Sequence, residues 1–155
     1  ALYNPKSIEF CVLLGLFLYM EHHKATFPKA EHLTGTLAIE TLFEQGDGFI
    51  AFPLRVVYQL VPKTDTPPIQ VLVSVPKKRF KHAVDRNRFK RLIRESYRLN
   101  KHLLYNTVEQ TNFTLRIAFC AVSNELPTFS VVEAKMQQAL TKLQQRVSET
   151  ITAEL

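Results

Sequence analysis

Residues 69–101, IQVLVSVPKKRFKHAVDRNRFKRLIRESYRLNK, change period in the middle, and that change decides the fold. Ile69, Val71, Val73 and Val75 share one parity, the pattern of a strand with one buried face. Pro76 stops the strand. Beyond it the apolar positions recur at helical spacing from about residue 82 to about 104. At about 100° per residue from Phe89, the positions Leu92, Ile93, Ser96, Tyr97, Leu99, Leu103 and Leu104 form the arc that packs inward. Asn87, Arg91, Arg94 and Arg98 form a stripe on the opposite arc, flanked by Lys90 and Lys101.

Strands and helices fall on either side of this pair. Leu33, Leu37, Leu42 and Phe43 are spaced for a short amphipathic helix, with Thr34 or Thr36 as its cap and Gly46 as its stop. Phe49 to Val61 is rich in β-branched and aromatic residues and is broken by Pro53, which predicts two strand pieces or a bent edge strand. Residues 62–68, PKTDTPP, are a loop. Phe113 to Val122 is a further strand, with Phe113, Leu115, Ile117 and Phe119 alternating against Thr114, Arg116 and Ala118. Pro127 ends it. Ser130 and Glu133 have the spacing of a capping box, and Val132, Met136, Leu140, Leu143 and Val147 share one face of a last helix. The expected class is α+β: a small mixed four-stranded sheet with three helices, in the order α-β-β-β-α-β-α.

Charge separates the central stretch from the rest. Between residues 77 and 101 there are eleven Lys or Arg against Asp85 and Glu95, a local balance of +9, whereas the whole chain carries +6. The remainder is therefore net acidic, and the field that selects a polyanion comes from one segment. A solvated helix intersperses acids with bases four residues apart. Here Arg91, Arg94 and Arg98 repel one another with only Glu95 nearby, a cost that phosphate groups would relieve. Guanidinium groups bind phosphate bidentately and stack on bases, and Asn87 adds both donor and acceptor. Charge leaves RNA and DNA both open.

At 155 residues, 46% apolar and 22% charged, the chain has the size and composition of one folded domain. Cys11 and Cys120 sit in unrelated contexts, so a reducing compartment fits and neither a disulfide framework nor a thiolate metal site is indicated. The apolar run Ile8 to Tyr19 is short of the roughly 20 residues that span a bilayer, and no small-residue cleavage site follows it. Translation is expected to start at Met20, which leaves residues 1–19 outside a domain of residues 20–155. The five histidines lack ligand-like spacing and read as surface residues, and Asp85 is a candidate cap for the basic helix. No nucleophile and base, phosphate-cradling glycine loop or carboxylate pair is present, which argues against an autonomous enzyme.

The run Arg86-Asn87-Arg88-Phe89-Lys90-Arg91-Leu92-Ile93-Arg94-Glu95-Ser96, preceded by Ser74-Val75-Pro76-Lys77-Lys78, closely resembles the signature of the bacterial ribonuclease P protein component. Phe27-Pro28, Leu33, Phe43, Gly46 and Tyr58 extend the resemblance over about residues 27 to 147. It implies a fold similar to a domain of a small-subunit ribosomal protein, with a left-handed βαβ crossover against the usual rule. It also implies a cytoplasmic holoenzyme subunit that helps remove the 5′ leader from precursor tRNA. Catalysis would belong to an RNA subunit holding Mg2+, and neither DNA nor a membrane would be a partner. The implied RNA-binding residues are Lys77, Lys78, Arg86, Asn87, Arg88, Lys90, Arg91, Arg94 and Arg98. The implied leader cleft, between the first helix and the sheet, comprises Ile39, Phe43, Tyr58 and Lys77. Ile39 stands where many members carry an aromatic residue. Gln70 and Leu72 replace the usual Arg and Gly, and Pro76 a small residue, so leader contacts near Lys77 are expected to differ. Two other readings use the same ridge: a non-catalytic ribosomal or chaperone-like RNA-binding protein, and a protein-only nuclease.

Overall fold

The computed structural model describes residues 26–154; the expectations for residues 1–19 and Met20 lie outside that range. A 3-10 turn, Lys29–Glu31, precedes helix α1, Thr36–Gln45. Strands β1, Asp47–Ala51, and β2, Leu54–Pro62, form a hairpin around Phe52-Pro53, so the proline divides the predicted β segment in two. Strand β3, Ile69–Ser74, leads to helices α2, Ala83–Asn100, and α3, His102–Glu109, and then to β4, Phe113–Ala121, and helix α4, Phe129–Glu154. The sheet order is β1-β2-β4-β3, antiparallel except for the parallel β3–β4 pair, so α2 and α3 lie on a βαβ crossover.

The sheet carries a core on each face because its strands alternate. On one face Val56, Ile69, Val71, Leu115, Ile117 and Phe119 meet Phe89, Ile93 and Tyr97 of α2 and Met136, Leu140 and Leu143 of α4. On the other, Leu33 and Leu42 cover Val57 and Ala118 in a much smaller cluster. Burying such an aliphatic side chain completely contributes about 1.5–3 kcal/mol, so Leu42, with no exposed surface, is the chief anchor of α1.

Several details differ from the sequence expectation. The long basic helix is two helices, giving four among the described residues, because the chain turns at Lys101. The Asn100 amide donates to the Ser96 carbonyl at 2.8 Å, and the Lys101 ammonium points inward to Glu31 at 3.0 Å. Lys101 is therefore buried and does not flank the ridge, while Leu99, expected inside, is exposed. Helix α1 is capped by Gly35 and by neither threonine; its φ of 97° lies in the left-handed region that glycine adopts without steric cost. Helix α4 begins one residue before Ser130, and its first turn closes from Val132 N–H to the Thr128 carbonyl, so Ser130 is inside the helix. Glu133 accepts from Asn100 instead of completing a capping box. Asp85, too, lies in the first turn of α2 and not at its cap, which is His82; its carboxylate still suits the positive helix end.

Gly46 is the expected stop of α1, and its N–H donates to the Leu42 carbonyl at 2.9 Å. A Cβ at this position would lie 2.3 Å from that carbonyl oxygen and 2.9 Å from that of Tyr58. Both obstacles are backbone, so the close crossing of α1 over the hairpin requires glycine there.

Candidate nucleic-acid interface

Burial of Phe89, Ile93 and Tyr97 fixes the rotation of α2 and turns its charged arc outward. Asn87, Arg88, Arg91 and Arg94 are exposed along it, and Lys90 is half-buried. Lys77 and Lys78 are exposed in the turn that follows β3. Two of the expected RNA-binding arginines are already engaged. Arg86 donates through Nη1 to the carbonyls of Phe80 and Lys81, both at 2.9 Å, and so closes the loop that leads into α2. Arg98 donates through Nε to Glu95 at 2.9 Å. That hydrogen bond holds the Glu95 carboxyl below its ordinary range and the Arg98 guanidinium above its own.

The four residues expected around the leader cleft are not all on one side of the sheet. Ile39 is half-buried against the smaller core, and Phe43, one helical turn further along α1, is 43% exposed. Tyr58 lies on the opposite face. It is only 9% exposed, belongs to the principal core and sits 6.3 Å from the Phe49 ring, so it cannot share a cleft with Phe43. Its neighbours on β2 face α1 instead. Gln59 donates to Gln45 of α1 at 3.5 Å, which puts Arg55, Val57 and Gln59 on the α1 face.

In register across β2, β4 and β3, Gln59 lies beside Arg116 and Arg116 beside Gln70; two rows along, Arg55 lies beside Cys120 and Cys120 beside Ser74. Both rows are polar and flank the apolar row that α1 covers. Gln59 Oε1 and Arg116 Nε are buried without a hydrogen-bond partner, a state rarely left standing unless a ligand or water completes it. Burial raises the Cys120 thiol above its usual range, against the opposing charge of Arg55. Arg116 could have been suspected from sequence, as a cation on the polar parity of an otherwise apolar strand. Gln59 could not, because its face depends on the register of the hairpin.

His32, expected at the surface, is half-buried and stacks on Phe27 at 4.2 Å. No helix of the described residues is long and apolar enough to cross a membrane. Among those residues no three His, Cys, Asp or Glu side chains converge to hold a metal ion.

Residues 27–144 match the Ribonuclease P family. The ribonuclease P protein component of Porphyromonas gingivalis is 48% identical over 121 residues, covering 77% of this chain and 88% of that protein. That of Chlorobium phaeobacteroides is 31% identical over 128 residues, covering 76% and 88%. Among solved structures, the Staphylococcus aureus RNase P protein superposes with a TM-score of 0.57 at 19% identity, covering 74% of this chain and 95% of that one. The Thermotoga maritima RNase P protein does so with a TM-score of 0.57 at 20% identity, covering 72% and 96%. At such identities the structures establish a shared fold, and the family match with the Porphyromonas relative carries the assignment: this chain belongs to the ribonuclease P protein component family.

Proposed function

We propose that the chain docks on the catalytic RNA of ribonuclease P through α2 and holds the 5′ leader of precursor tRNA between α1 and the sheet. The observation that carries the first half is the ridge of Asn87, Arg88, Arg91 and Arg94, exposed on a helix that is anchored on its other face by the buried Phe89, Ile93 and Tyr97. The packed helix fixes the backbone from which these donors project, so RNA binding has only their side chains left to order. Lys77, Lys78 and Lys90 extend the positive surface, while Arg86 acts by shaping the loop and Arg98 by its pairing with Glu95.

Phosphodiester hydrolysis belongs in this reading to the RNA subunit and its Mg2+, and the protein side chains bind and orient. The acidic residues near the interface, Asp85 and Glu95, stand apart on α2 and offer no shared ion site. Membership of this family leaves the ribosomal or chaperone-like alternative without support. In this reading the chain works in the cytoplasm, a reducing setting that suits the free Cys120.

For the leader, Phe43 supplies the stacking face and Lys77 a phosphate contact, with Ile39 as an apolar wall. The polar row Gln59, Arg116 and Gln70 takes the place the sequence suggested for Tyr58. Phe43→Ala is expected to weaken holoenzyme affinity for leader-bearing precursor about tenfold, the order of one base-aromatic stack, and to leave mature tRNA affinity unchanged. Tyr58→Ala should lower the unfolding midpoint instead. Competition binding of the two tRNA forms decides it: equal loss for both with Phe43→Ala refutes the leader cleft.

A further inference from the structure

Beside the ridge, and on the opposite face of the sheet from α1, a cavity of about 520 Å³ opens among α2, the start of α4 and the segment before the 3-10 turn. Its apolar walls are Phe27, Leu92 and Phe129, and its rim carries Arg91, Arg94 and Arg98. The volume is that of a small-ligand site, about 300–1,000 Å³. Phe27 is held in place from two sides, stacked on His32 at 4.2 Å and edge-on to Tyr97 at 5.3 Å. Glu95, also on the rim, is paired with Arg98 and holds that guanidinium in place.

Aromatic walls beneath a rim of guanidinium groups limit what can bind well. An aliphatic chain would fill the walls and leave the Arg91 and Arg94 cations unused. An inorganic anion would satisfy the cations and leave the aromatic faces wet. A nucleotide offers a flat apolar face and a phosphate at the spacing of one residue, and single-stranded RNA is bound by this combination of stacking and charge.

We infer that this cavity takes one unstacked nucleobase of the RNA bound along the ridge, packed against Phe129 and Phe27, with its neighbouring phosphates on Arg91 and Arg94. The inference rests on the ridge being the face that meets the catalytic RNA. It adds a base-holding site on the principal-core side of the sheet, away from the α1 cleft, and gives Phe129 a role in binding.

The full-length chain titrated with the matching catalytic RNA at several salt concentrations tests this. Phe129→Leu keeps the apolar bulk and removes the aromatic face; it should weaken binding about tenfold, one stacked base, with the salt slope unchanged because no phosphate contact is lost. Phe129→Tyr should stay within about twofold of the parent, since it keeps the ring. Arg91→Ala should weaken binding and lower the slope by about one. If Phe129→Leu leaves affinity unchanged while Arg91→Ala behaves as stated, the ridge stands and the base site is refuted. If neither variant changes affinity, the ridge reading fails and the base site with it. Equal losses for Leu and Tyr, or a lower unfolding midpoint with unchanged RNA affinity for Phe129→Leu, would also overturn it.

Discussion

Replacing Arg91 and Arg94 together by alanine is expected to weaken binding to the matching catalytic RNA about 100-fold at moderate salt and to lower the salt slope by about two. Both side chains are exposed on a helix whose opposite face is buried, so their removal takes away cations and leaves the packing intact. It also relieves the mutual repulsion of the ridge, so the unfolding midpoint should stay level or rise slightly. Titrations at three or more salt concentrations separate the two effects. An affinity loss with an unchanged slope would mean that these arginines do not meet phosphates.

Lys101→Met is expected to cost about 3–5 kcal/mol of stability, because it leaves the Glu31 carboxylate buried without its counter-charge. Lys101 Nζ lies 3.0 Å from each Glu31 oxygen, and the two residues are 8% and 5% exposed. The pair ties the 3-10 turn to the junction of α2 and α3. Through that turn it also sets Phe27 against Tyr97, beside the ridge cavity. The double variant Glu31→Gln with Lys101→Met should recover most of the loss, since no buried charge then lacks a partner. Urea unfolding of the two single variants and the double variant measures the coupling. Single-variant losses below about 1 kcal/mol would show a pair that behaves as a solvated one.

What local periodicity could and could not show follows from which forces are local. Phe89, Ile93 and Tyr97 were legible because a helix with one buried face repeats its apolar residues at a fixed angle. The same held for Ile69 to Val75, for alternate residues of β4 and for Val132 to Val147 along α4. Lys101 escaped because its partner is seventy residues away, and nothing in the surrounding spacing distinguishes a lysine turned inward from one on the ridge. Leu99, expected inside, is exposed for a related reason: the helix ends there, and Asn100 is the buried residue, satisfied by the Ser96 carbonyl and by Gln137.

Tyr58 illustrates the limit for sheets. A shift of one residue in a strand turns every side chain to the other face, and the face of β2 is set by the hairpin at Phe52-Pro53 together with its pairing to β4. The resemblance implied an aromatic face at Tyr58 beside α1, whereas the strand pairing puts the polar row Gln59, Arg116 and Gln70 on that side of the sheet.

The most direct test of a subunit that assists a catalytic RNA is cleavage of precursor tRNA at low magnesium by the matching RNA subunit, with and without the chain. The account predicts that the chain accelerates release of the 5′ leader, that the Arg91→Ala, Arg94→Ala double variant loses most of this effect, and that the chain without RNA cleaves nothing. Absence of stimulation, or cleavage by the chain without any RNA subunit, would contradict it.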